Sequence, residues 1–118
     1  MTMENLPGKL VVEVGERQAW PFITFLDTES DPEREVRLYL DTDWRIATPG
    51  DAGVPRTGTP DNPLPDLVLI NNRYVVRAAE HADVSADIVF DNGLTLRISG
   101  DGTETTAGEP WWFSAWTP

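Results

Sequence analysis

Few residues in this chain are equipped for chemistry. His81 is the only histidine, so any Ser-His-Asp relay must pass through it. It stands in A-E-H-A-D, and no G-x-S-x-G elbow occurs anywhere in the chain. The reading is a surface histidine at a strand end. Carboxylates two apart occur at Asp41-x-Asp43 and at Asp27-x-Glu29-x-Asp31. An EF-hand loop needs glycine at its sixth position and glutamate at its twelfth. Counted from Asp27 these positions hold Pro32 and Leu38, so the acids read as solvated turn residues. Glycosidases need two carboxyls at a set separation, and among twenty acids chance pairs are certain. The chain has no cysteine, which excludes disulfides, thiolate metal sites and cysteine nucleophiles. No catalytic residue, cofactor or metal site is assigned.

Aromatic residues are the other conspicuous resource. Trp111-Trp112-Phe113-Ser114-Ala115-Trp116 places three tryptophans in six residues. In a strand, Trp111 and Phe113 share one face, Trp112 and Trp116 the other. One face then seals the core, and the other either packs under a long loop or forms an exposed aromatic surface of the kind enriched in binding hot spots. A platform for stacking sugars is a third use. Trp44, Trp111, Trp112 and Trp116, with Asp41 and Asp43, are thus the candidate contact residues for a partner or small ligand.

Charge narrows the partner. Twenty acidic and nine basic residues give a formal net charge of −11. Such a surface repels phosphate backbones and anionic headgroups, which argues against nucleic acid and membrane surfaces. It complements a basic protein, although acidity also serves solubility alone. No apolar run approaches the ~20 residues of a spanning helix. Met1 to Leu10 lacks the basic start and apolar run of a signal peptide, so a cytoplasmic location is expected.

The elements that must position these residues read as strands. The clearest is a hairpin over Val84 to Ser99. A two-residue turn at Asn92-Gly93 would pair Phe90 with Thr95 and Asp91 with Leu94, mixing apolar and polar on one face. A three-residue loop, Asp91 to Gly93, instead pairs Phe90 with Leu94, Ile88 with Leu96 and Ala86 with Ile98. Val89 with Thr95 and Asp87 with Arg97 then share the other face. Gly93 falls at the left-handed position of such a loop. Further strands are expected at Lys9 to Val14, with a turn at Gly15-Glu16, and at Trp20 to Leu26, with Pro21 near its start or on an edge. Glu35 to Asp41 alternates, placing Val36, Leu38 and Leu40 on one face and Arg37, Tyr39 and Asp41 on the other. Trp44 to Ala47 and Arg73 to Ala79 complete the strand set, the latter leading into a three-stranded meander. Asp66 to Ile70 reads as a short strand or a helical turn.

Residues 1–8 read as a loose tail. Thr48 to Pro65 holds five of the ten prolines and three glycines, an exposed Pro/Gly-rich loop within one domain. No segment repeats apolar residues at helical spacing. The 118 residues are therefore expected to form a single all-β domain: an antiparallel sheet, a sandwich or a partly open barrel.

The run F-D-N-G-L-x-L-x-I (Phe90 to Ile98), followed by a Gly-rich loop and E-P-W, resembles a family of uncharacterised small bacterial β-rich proteins. These carry F-D-[DN]-G-x-x-L and then E-x-W, and many are immunity-like proteins encoded near polymorphic toxins. The resemblance spans Arg73 to Phe113 and implies no catalytic residues. With the charge, it points to a non-enzymatic, immunity-type or regulatory partner of a basic protein. The alternative is a small-ligand binder or small enzyme with an aromatic and carboxylate pocket. A homo-oligomer formed through an open sheet edge is a third possibility.

Overall fold

The computed structural model describes residues 1–28, 33–48, 56–57, 64–102, 106 and 108–116; for 56–57 and 115–116 the description covers the backbone alone. Two antiparallel sheets share one core. The first has the order β1 (Leu10–Arg17), β2 (Trp20–Asp27), β3 (Arg34–Leu40), β9 (Trp111–Trp116). The second runs β5 (Arg56–Thr57), β4 (Trp44–Ala47), β8 (Thr95–Ile98), β7 (Ala86–Phe90), β6 (Val75–Glu80). The expected all-β architecture is found, and the sheets do not close into a barrel.

Alternation along the strands builds the core. Ile23, Phe25, Leu38 and Leu40 of the first sheet face Ile46, Ile88, Phe90, Leu96 and Ile98 of the second, all nearly or completely buried. At one margin the sheets are stitched together. Val75 N–H donates to the Lys9 carbonyl at 2.8 Å and Val11 N–H to the Arg73 carbonyl at 2.9 Å, around a bridge between Leu10 and Tyr74.

The central hairpin has the expected register: Ala86 opposite Ile98, Asp87 opposite Arg97, Ile88 opposite Leu96 and Val89 opposite Thr95. The loop closes through Gly93 N–H to the Phe90 carbonyl and Phe90 N–H to the Leu94 carbonyl, both 2.9 Å, with Gly93 at φ 84°. Asp66 to Ile70 is helical: α1 (Leu64–Leu67) runs into a 3-10 turn over Val68–Ile70 that buries Leu67 and Ile70.

Two expectations need correction. The segment 1–8 is not a loose tail. Its 3-10 turn, Met3–Asn5, packs against β6 and carries Met3 and Leu6 into the core with no exposed surface, which is where these two apolar side chains leave water. The first hairpin turns at Gln18-Ala19, both left-handed (φ 54° and 72°), rather than at Gly15-Glu16. Gly15 lies within β1, opposite Phe22, whose ring crosses it so closely that a Cβ there would sit 2.6 Å from Cζ. Most of the Pro/Gly-rich stretch expected over Thr48 to Pro65 lies outside the described residues. Within it, Arg56–Thr57 pairs with β4, and Leu64 and Pro65 open α1.

Candidate functional site

Three connections converge at one end of the molecule: β3 to β4 (41–43), β6 to β7 (81–85) and β8 to β9 (99–110). Asp41 N–H donates to the Pro110 carbonyl at 2.8 Å, and Thr106 Oγ1 donates to the Asp41 carbonyl at 2.6 Å. Thr42 Oγ1 donates to the Asp101 carbonyl, and Ser99 N–H to the Asp43 carbonyl at 2.9 Å. Gly100 lies directly beneath the 81–85 turn, where a Cβ would sit 2.0 Å from the Asp83 carbonyl oxygen. These contacts gather Asp41, Asp43, Asp83, Asp101 and Glu109, and none of the three connections contains a lysine or arginine.

The 81–85 turn is tightly specified. His81 N–H donates to the Ser85 carbonyl and Val84 N–H to the His81 carbonyl, at 2.8 and 3.0 Å. Both the Ser85 amide and hydroxyl donate to Asp83 Oδ1, at 3.1 and 2.5 Å. The Ser85 hydroxyl first, then its amide, hold the Asp83 carboxyl below the usual carboxylate range. Val84 is left-handed at φ 70°, an uncommon state for a β-branched residue. Its carbonyl accepts the Trp111 indole N–H at 2.8 Å. Trp111 thus both belongs to the core and anchors the turn.

Beside this end, on β4, β7 and β8, lies an open cleft of about 610 Å³ lined by Asp43, Trp44, Arg45, His81, Asp87 and Arg97 among others. His81 Nε2 lies 3.0 Å from Asp87 Oδ2. A carboxylate only accepts, so Nε2 carries the proton. Arg97 Nε reaches Asp87 Oδ1 at 3.9 Å. The Ser85 hydroxyl is committed to Asp83, so serine, imidazole and carboxylate are not wired as a nucleophile relay. Among the described residues, no three metal-ligating side chains converge.

The opposite side of the molecule carries an aromatic layer on the outer face of the first sheet. Trp112 stacks on Tyr39 (centroids 5.5 Å, planes 18° apart) and meets Trp20 edge-on at 5.1 Å. Tyr39 continues to Phe22, over whose ring the Arg37 guanidinium sits at 4.0 Å. Arg37 is 6% exposed and also donates to Glu13 and Tyr39. Burial alone would lower its pKa, but its hydrogen bonds to Tyr39 and Glu13 outweigh that and hold it above the ordinary arginine value.

The candidate contact residues therefore scatter. Trp44 is buried in the core and reaches the cleft beside Asp43 only at its margin, while Asp41 and Asp43 stand in the acidic end. Trp111 is buried, and Trp112 is half-buried in the aromatic layer; most of the long loop expected to cover one tail face lies outside the described residues. Trp116 pairs with Glu35 through its backbone, and its side chain lies outside the described residues. Sequence reasoning missed Arg45 and left His81 as an isolated surface residue. The Asp87–Arg97 pair was legible from the hairpin, but Arg45 joins it only because β4 pairs with β8, with Trp44 opposite Ile98 and Arg45 opposite Arg97, 52 residues further along the chain.

Comparison with protein-family models, with curated proteins and with solved structures finds no match to this chain. No helix among the described residues is long and apolar enough to cross a membrane.

Proposed function

We propose that this chain is a non-enzymatic binding protein that recognises a basic protein through the acidic end. The observation that carries the reading is the convergence of three connections bearing five described carboxylates and no lysine or arginine. Hydrogen bonds between the connections hold the described backbone around Asp41, Asp43, Ser99 and Pro110, and a backbone already held loses less freedom on docking, which favours affinity. The half-exposed Val84 supplies an apolar contact amid the acids. Such a surface steers a cationic partner into place and occludes whatever it covers. An immunity-type role follows from the same reading together with the resemblance of the central hairpin.

The test compares two variants of equal net charge in co-purification from the native host at low and moderate salt. One is Asp43→Asn/Asp83→Asn/Asp101→Asn/Glu109→Gln; the control is Glu4→Gln/Glu16→Gln/Glu33→Gln/Glu80→Gln. A partner recovered with wild type should bind the first variant at least about tenfold more weakly, roughly 1.4 kcal/mol, and the control nearly as well as wild type. Failure to recover any basic partner, or equal losses in both variants, would sink the reading.

A further inference from the structure

The cleft holds a charge arrangement that the fold alone does not reward. Arg45 and Arg97 are direct partners across β4 and β8 and share the outer face of the second sheet. Like charges directly opposite are unfavourable. Asp87 cannot neutralise both: it already meets His81 at 3.0 Å and reaches Arg97 only at 3.9 Å. None of the described residues makes an ion pair with Arg45. Both guanidiniums line the 610 Å³ cleft, a volume within the ~300–1,000 Å³ usual for small-molecule sites. Trp44 and Ile98 reach the cleft only at their margins, since both side chains are buried in the core beneath it.

We infer that the Arg45–Arg97 pair is a clamp for the carboxylate of a small organic anion. Two guanidinium forks on adjacent strands match the two oxygens of one planar carboxylate, and its charge converts their repulsion into attraction. A monoanion is favoured over a phosphate. Asp43 and Asp87 line the same cleft, and a chain of net charge −11 penalises a dianion more heavily than a monoanion. The cleft shares Asp43, His81 and Ser85 with the acidic end, but the inference does not rest on that end's partner, because Arg45 and Arg97 lie on β4 and β8 outside the three connections.

Benzoate is the probe, with phenyl phosphate and neutral benzamide for comparison. The readouts are calorimetric titration of the full chain and the arginine Nε signals in nitrogen-correlated NMR. Benzoate should saturate while shifting the Arg45 and Arg97 signals together. Benzamide and phenyl phosphate should bind at least tenfold more weakly. Arg45→Gln should weaken benzoate at least tenfold while leaving the urea midpoint equal to or above that of wild type, since it relieves a repulsion. Arg45→Lys, which keeps the charge and loses the fork, should fall between the two. The clamp is overturned if benzoate shifts all exposed arginines alike, or if Arg45→Gln binds it as wild type does. It is also overturned if Arg45→Gln lowers the midpoint, which would make Arg45 a structural brace. Tighter binding of phenyl phosphate than benzoate overturns the carboxylate assignment.

Discussion

Among the described residues Val84 is the β-branched one held left-handed, and at φ 70° this costs about 1–2 kcal/mol relative to a right-handed conformation. The strain persists because Trp111 holds its carbonyl and Gly100 leaves the turn no room to relax inward. Asparagine tolerates this conformation, and the half-exposed valine has little burial to lose. Val84→Asn is therefore expected to raise stability by about 1 kcal/mol in urea denaturation. Trp111→Phe removes the indole donor while keeping most of the ring, and should cost about 1–3 kcal/mol as the carbonyl loses its partner. A Val84→Asn midpoint at or below wild type would show that the left-handed state is not strained. Asp83 adds a pH term to the same turn. Its carboxyl is depressed in the folded chain, so the stabilisation is fully present above the unfolded value near ~3.9 and fades as pH falls through the lower folded value. Comparing wild type with Asp83→Asn between pH 6 and pH 2 should show the gap between them closing at the acid end.

Among the elements, the N-terminal turn matters out of proportion to its three residues. Met3 has no exposed surface and belongs to the core cluster, its turn packed against β6. Met3→Ala should cost roughly 2–5 kcal/mol; a change below 1 kcal/mol in the urea midpoint would mean that the segment is dispensable packing. Nothing in M-T-M-E-N-L announces this, because two apolar residues three apart in a polar segment are too few for a periodicity. The hairpin over 86–98 was legible for the converse reason. Its residues alternate on both arms, and a one-residue slip would place polar side chains in the core, so the pattern admits a single register. The Gln18-Ala19 turn was invisible because neither residue signals a left-handed backbone, while Gly15, which looked like a turn, serves to let Phe22 lie flat. The candidate site was least legible of all. Asp43 and Trp44 were singled out for their types, but the pairing of β4 with β8 that sets Arg45 beside Arg97 is long-range and leaves no trace in local pattern.

Over the whole molecule, charge and size combine into one expectation. The molecule spans 39 × 34 × 29 Å, and the Debye length is about 30 Å at 10 mM salt and about 3 Å at 1 M. At low salt the acids therefore repel one another across the full width of the fold. Sodium chloride should raise the urea midpoint steadily over that range; a flat or falling midpoint would show that attractive pairs such as Arg37–Glu13 and Lys9–Asp27 dominate the field. The strand order has a temporal side as well. β1, β2 and β3 follow one another closely in the chain, as do β6, β7 and β8, yet the first sheet is completed by β9, which follows every strand of the second. Closing the stretch from Leu40 to Trp111 carries a loop entropy that no neighbouring contact offsets in advance. Until that closure, β3 is a bare edge and the faces of Leu38 and Leu40 are half-covered. The second sheet, contiguous in the chain, can form by itself, whereas the completion of the first waits on a strand that lies beyond it.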